Sequence, residues 1–258
     1  MLGTSVGSSE DAAVSSRVEL ALSIRAAQFG YDSNAVISVE SLKLHRGEKL
    51  GLVGTSGCGK TTLLSAIAGA SEPLSGTVEI LGSTRDREWR INGVSRTLQA
   101  FPLLHWLTVR ENLALACKIR RVPASRVDEA LGELSASHLA EFFPRKLSGG
   151  ERCRASLAQA VVGQPKLLLL DEPFTGLDLL VKEDVAASVL HFASQFEIGV
   201  IFVTHDIRDA AIFCDRIVVL GGKPITRIIA EIAGKQANSA LEIEAALKSG
   251  SAGGSSSC

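Results

Sequence analysis

The stretch GTSGCGKT, Gly54 to Thr61, decides the reading of this 258-residue chain, because it follows the apolar run Lys49 to Val53 and opens a helical one, Lys60 to Ala68. Gly54, Gly57 and Gly59 let the backbone curl until successive N–H groups face inward. That makes a cradle for phosphate oxygens at the positive end of a helix. Lys60 then reaches the β and γ phosphates of a nucleotide, and the Thr61 hydroxyl ligates Mg²⁺. Thr55, Ser56, Cys58 and Thr62 complete the loop. Cys58 is either a bystander or a thiol whose modification would block the nucleotide. Gly69 stops the helix as a usual C′ residue.

Outward from the loop, strands are expected at Thr77 to Leu81, Lys166 to Leu170, Ile198 to Val203 and Arg216 to Leu220. Val18, Leu20, Leu22 and Ile24 alternate with Glu19, Ser23 and Arg25, which predicts a half-buried strand. Val185, Val189, Phe192 and Phe196 mark one face of a helix between strands. Such alternation implies an α/β fold with a mostly parallel sheet. From about residue 101 to 163 the pattern is helical only, with capping-box starts at Thr108 and Glu111, Ser125 and Asp128, and Ser148 and Glu151. A helical subdomain is therefore expected inside the α/β core.

Asp171 ends a run of four leucines, which puts a carboxylate at the C-terminal edge of a buried strand, where open α/β sheets bind ligands. It is the natural outer holder of Mg²⁺, standing behind the groups that touch the ion, while the adjacent Glu172 points to the other side, placed to orient or deprotonate an attacking water. Alone, such a pair is as often a solvated strand edge. His205 follows another apolar strand and, alone, reads as a helix cap. The two glycines after Ser148 allow its backbone to approach a phosphate and present a positive helix end.

Charge is nearly balanced, 27 basic against 28 acidic side chains, so no global field draws in nucleic acid or anionic lipid. The five cysteines, Cys58, Cys117, Cys153, Cys214 and Cys258, form no Cys-x-x-Cys pair and fit a reducing compartment. His45, His105, His138 and His191 show no metal-site spacing. No apolar run approaches the roughly 20 residues of a membrane-spanning helix, and the first residues lack a signal-peptide pattern. The Ser/Gly-rich segments 1–17 and the end of 235–258 read as tails, the latter after a C-terminal helix.

In this order, GTSGCGKT, LSGGE (Leu147 to Glu151), LLLLDEP (Leu167 to Pro173) and VTHD (Val203 to Asp206) resemble the motif series of the ATP-binding-cassette (ABC) ATPases. The resemblance covers residues 18–234. It implies a P-loop core with an N-terminal antiparallel β part, hydrolysis of ATP with Mg²⁺, and His205 contacting the γ phosphate while holding Glu172. It also implies a head-to-tail homodimer, or a pair with a paralogous ABC subunit, in which Ser148, Gly149 and Gly150 of one copy reach the γ phosphate held by Lys60 of the other. Asp178, in TGLD, matches the D-loop that crosses this interface. Gln99 matches the Q-loop glutamine that reaches Mg²⁺ and answers to the transport partner. Tyr31 lies where the family stacks an aromatic on adenine; Phe29 is a nearby competitor, and either is equally a core residue. Trp106 and Leu107 are surface anchors for a membrane subunit or core.

Within the family, residues 101–115, 204–210 and 216–228 look most like the ATPase subunits of nitrate/sulfonate/taurine-type importers. Two membrane permease subunits and, indirectly, a substrate-binding protein are the implied partners, at the cytoplasmic face of the membrane and without nucleic acid. Efflux ATPases of the lipoprotein-release type are the rival, since FTGLD and LSGGE occur there too. A soluble ABC protein of DNA repair or translation would carry coiled-coil insertions or zinc motifs, and a GTPase an Asn-Lys-x-Asp motif. Glu151-Arg152-Cys153 stands where many relatives have Met-Gln-Gln, and Gln159 where an arginine is common.

Overall fold

The computed structural model describes residues 19–84, 93–97 and 103–252. A long hairpin, β1 (Leu20–Tyr31) and β2 (Asn34–His45), leads into β3 (Lys49–Gly54), the loop and α1 (Lys60–Ile67). Then come β4 (Ser75–Ile80), β5 (Ser83–Thr84) and β6 (Val94–Thr97). The described chain from 103 to 163 carries only helical structure: α2 (Val109–Arg120), α3 (Arg126–Glu133), two short 3₁₀ turns and α4 (Gly149–Val161). The α/β order resumes with β7 (Leu167–Asp171), α5 (Leu179–Gln195), β8 (Gly199–Thr204), α6 (Ile207–Phe213), β9 (Arg216–Gly221), β10 (Arg227–Ala233) and α7 (Ser239–Ala252).

Two sheets result. One is antiparallel, in the order β2-β1-β4-β5; the other runs β10-β9-β3-β8-β7-β6 and is parallel except for β10. The expected α/β class is met. The leucine run explains the second sheet's place: Leu167 and Leu169 join the core shared with α1 and the antiparallel sheet, while Leu168 and Leu170 join the core beneath the helices. A strand buried on both faces reads as a continuous apolar run, and each leucine so buried contributes about 2 kcal/mol.

Several expectations change. Ser23 is buried and Ala21 fully so, because β1 lies between β2 and β4, and its second face backs onto β8, where a Cβ at Gly199 would sit 2.8 Å from Ala21. Ser125 forms no capping box: it is already helical (φ −57°, ψ −26°), because the turn starts earlier, with Arg126 N–H donating to the Pro123 carbonyl. The boxes at Thr108 and Ser148 do form. The C-terminal helix continues into the Gly/Ser-rich end, to Ala252, anchored by Ile243, Ala246 and Leu247 in the helical core. Strands β2, β6 and β10 were not separable from their surroundings in the sequence. The expected tails at 1–17 and 253–258, and Gln99, lie outside the described residues.

Candidate functional site

The loop between β3 and α1 has the geometry its glycines allow. Gly59 caps α1 at φ +91°, a conformation open to glycine, and a Cβ there would be strained and 3.1 Å from Val36 Cγ1. Lys60 is buried, and its ammonium folds back to donate to the carbonyls of Gly54 (2.7 Å) and Thr55 (3.0 Å). Thr61 is exposed at the helix start. Tyr31 closes the β1–β2 hairpin beside it, 60% exposed, its hydroxyl 3.3 Å from Thr62 Oγ1. Phe29 is core, whereas Tyr31 is exposed at the edge of the loop. Tyr31, Val36, Ser56, Gly57, Gly59, Lys60, Thr61, Thr62 and Glu172 border one cleft of about 420 Å³.

The end of β7 carries Glu172 to its rim. Asp171 pairs with Val203 at the ends of β7 and β8. The next residue, Glu172, takes a positive φ of 48°, and its N–H donates to the Val203 carbonyl at 2.9 Å. A left-handed glutamate is strain of the kind that gathers at functional sites, and here it turns the side chain away from that of Asp171 into the cleft. Glu172 Oε2 is met by His205 Nδ1 at 2.9 Å and accepts the Thr175 hydroxyl at 3.2 Å.

Behind His205, Lys182 of α5 reaches the first turn of α6. Its ammonium is 2.9 and 3.0 Å from the Asp209 carboxylate oxygens and 3.4 Å from Asp206 Oδ2. Burial pushes the Asp209 carboxyl up, against the pull of Lys182. Burial acts on Asp206 in the same sense, but the Arg208 N–H and Lys182 outweigh it and hold that carboxyl low. For Lys182, burial is outweighed by its hydrogen bonds to Asp209, and the ammonium is held above its ordinary range.

Ser148, Gly149, Gly150 and Asp178 lie elsewhere and do not border the 420 Å³ cleft. Ser148 caps α4, with Glu151 returning the bond to the Ser148 N–H at 2.8 Å. Asp178 caps α5 by accepting the Val181 N–H at 3.1 Å. The two helix starts touch: a Cβ on Gly149 would lie 3.5 Å from Leu177 Cδ2. Cys153, one turn into α4, is buried, which pushes its thiol up to about 12; it stays protonated and donates to the Pro173 carbonyl at 3.2 Å. Trp106 is 71% exposed, so it is a surface residue and not core.

The residues that sequence reasoning missed are Thr175, Lys182 and Asp209. Lys182 follows Asp178, and Asp209 follows His205, by one helical turn, a spacing that places each on the first turn of its helix; only the fold, which brings the two helix starts within reach of an ion pair, shows that they meet.

A glycine loop on a strand–helix turn, with carboxylates at the ends of neighbouring parallel strands, defines the class of P-loop nucleotide-binding proteins. A family model described as ABC transporter matches residues 38–175. The aliphatic sulfonates import ATP-binding protein SsuB 2 of Paraburkholderia xenovorans is 39% identical over 206 residues, 79% of this chain and 78% of that protein. The spermidine/putrescine import ATP-binding protein PotA of Nitratidesulfovibrio vulgaris is 34% identical over 212 residues, 80% of this chain but 58% of that protein, so the chain spans little more than half of it. A solved structure described as a dimeric post-hydrolysis state of the ATP-binding cassette MJ0796 bound to ADP and Pi superposes with a TM-score of 0.72 at 24% identity, covering 83% of this chain and 99% of that one. The chain belongs to the ABC transporter ATP-binding family, whose members are ATPases.

Proposed function

We propose that the chain is the ATP-hydrolysing subunit of a membrane importer, in which two copies close over two ATP molecules and pass that motion to membrane partners. One observation carries the reading: Lys60, Thr61 and Glu172 share a cleft, while Ser148, Gly149 and Gly150 stand apart from it at the start of α4. The positive end of α4 attracts an anion, and a second copy bearing a nucleotide supplies one. Each ATP is then held between Lys60 of one copy and Ser148 and Gly150 of the other, with Asp178 at the seam.

Within one copy, the N–H groups from Gly54 to Thr61 surround the phosphates, Lys60 exchanges its two carbonyls for phosphate oxygens, and the Tyr31 ring stacks on the adenine. Hard oxygen donors suit Mg²⁺; Thr61 and Asp171 would hold it with Gln99, and when bound it neutralises charge on the phosphate oxygens. Glu172 orients or deprotonates the attacking water, and His205 fixes Glu172 and meets the γ phosphate.

The ATPase domain spans residues 18–234, with a helical subdomain inserted at about 101–163. Its exposed Trp106 lies on the face offered to one of two permease subunits, fed by a substrate-binding protein at the membrane. The sulfonate-type relatives favour import of nitrate-, sulfonate- or taurine-like solutes over efflux. No described helix is long and apolar enough to cross a membrane.

Ser148→Arg and Lys60→Ala proteins, each inactive alone, should regain turnover when mixed, since one site per mixed dimer is then intact. Absence of recovery in mixtures shown by light scattering to dimerise would reject the shared site.

A further inference from the structure

Asp171 does not stand alone at the end of β7. Arg96, on the neighbouring edge strand β6, pairs in register with Leu169, and two residues along its Nη2 lies 2.7 Å from Asp171 Oδ2. Its Nη1 donates to Ser65 Oγ at 2.8 Å. Ser65 follows Thr61 by four residues on α1, so the two hydroxyls lie on one helix face. The guanidinium therefore bridges the carboxylate and the helix about one turn below the hydroxyl assigned to the metal.

The Arg96 and Asp171 side chains are only 15% and 5% exposed, and charges so withdrawn from water are weakly screened. Arg96 Nε is buried without a hydrogen-bond acceptor among the described residues. An ion pair that leaves a buried donor unfilled is poor evidence for a stabilising role, which makes a role at the site worth testing.

Resting on the nucleotide-site reading above, we infer that Arg96 is a resident cation of the phosphate site, which holds Asp171 and weakens the mutual reinforcement of metal and nucleotide binding. A fixed positive charge and a divalent ion then share one carboxylate, so the metal gains Asp171 only against Arg96. When no metal is bound, the same charge supports the triphosphate.

The measurement is the affinity for a methylanthraniloyl derivative of ATP in excess EDTA and in excess magnesium. The ratio of the two dissociation constants is the coupling between metal and nucleotide. Arg96→Met should raise that ratio about tenfold, the scale on which neighbours of a metal ligand tune its site. Arg96→Lys keeps the charge and should raise it less. Because the ratio is taken within one variant, a loss of stability does not imitate it. An unchanged or smaller ratio in Arg96→Met overturns the inference and leaves Arg96 as a tie between strands. Should that variant not fold, Arg96→Lys decides: its amine cannot span both Ser65 and Asp171, so the ratio must still rise. A wild-type protein that binds the analogue in neither condition refutes the nucleotide reading instead.

Discussion

His205 Nδ1 lies 2.9 Å from Glu172 Oε2, and the two side chains reach that contact from the ends of adjacent parallel strands, β8 and β7. The carboxylate is thus steered from two sides, by the imidazole and by the Thr175 hydroxyl, while its left-handed backbone keeps it off the Asp171 side. In the mechanism proposed above, Glu172 acts on water and not on the holding of nucleotide. Glu172→Gln should therefore retain its affinity for ATP while turnover falls about 10²- to 10⁴-fold, the range for loss of a positioned base. It should also accumulate as an ATP-bound dimer; if light scattering with ATP and Mg²⁺ shows monomer alone, the assignment to Glu172 is wrong.

Lys182 joins the helix that begins at Asp178 to the turn that follows His205. Its side chain is 14% exposed and that of Asp209 only 9%. Lys182→Met would leave the buried Asp209 carboxylate without its cation, beside an Asp206 side chain that is 40% exposed. Breaking one side of such a pair costs about 3 kcal/mol, read as a fall in the urea midpoint with an unchanged slope. Replacing Asp209 by Asn in the same protein should return part of the loss, and a purely additive double variant would show that the two residues do not interact.

The phosphate loop, the leucine strand and both acids were legible because each couples a local rule to a residue type: glycine to a curled backbone, an apolar run to a strand buried on both faces, a carboxylate to a strand end. The capping box at Ser148 was legible for the same reason. What stayed hidden depends on pairing between distant segments. Ser23 reads as surface until β4 covers the other edge of β1, and Arg96 carries no signal until β6 is laid beside β7 in a register that puts it near Asp171. The failure at Ser125 has another origin, since Pro123 starts the turn two residues before the box that the spacing suggested.

The Glu151 carboxylate accepts the Ser148 N–H, and this bond, with a further one involving Ser148, holds its carboxyl below the ordinary value of 4.5. A lowered native value means that the folded state gains from the ionised form. Its contribution is complete above about pH 4.5 and is lost as the pH falls through the lower native value. Glu151→Gln keeps an acceptor but removes the charge. Its melting temperature should therefore lie below wild type at about pH 7, with the gap closing towards about pH 3; a gap independent of pH would assign the effect to packing.

Gly150 is the point where α4 presses closest on α5: a Cβ there would lie 2.4 Å from Val181 Cγ1. No real pair of carbons tolerates that separation, so in Gly150→Ala either the Val181 side chain turns away or one helix start shifts against the other. Val181 sits one residue before Lys182, and its N–H is the one Asp178 accepts, so a shift acts on the cap of α5 as well as on α4. Overpacking of this kind costs about 1 to 3 kcal/mol. Val181→Ala removes the colliding methyls and should restore most of the loss in the double variant, although alone it opens a small gap. Urea denaturation of the four proteins gives the coupling directly, and a coupling energy near zero would mean that the two helix starts are not in contact in solution.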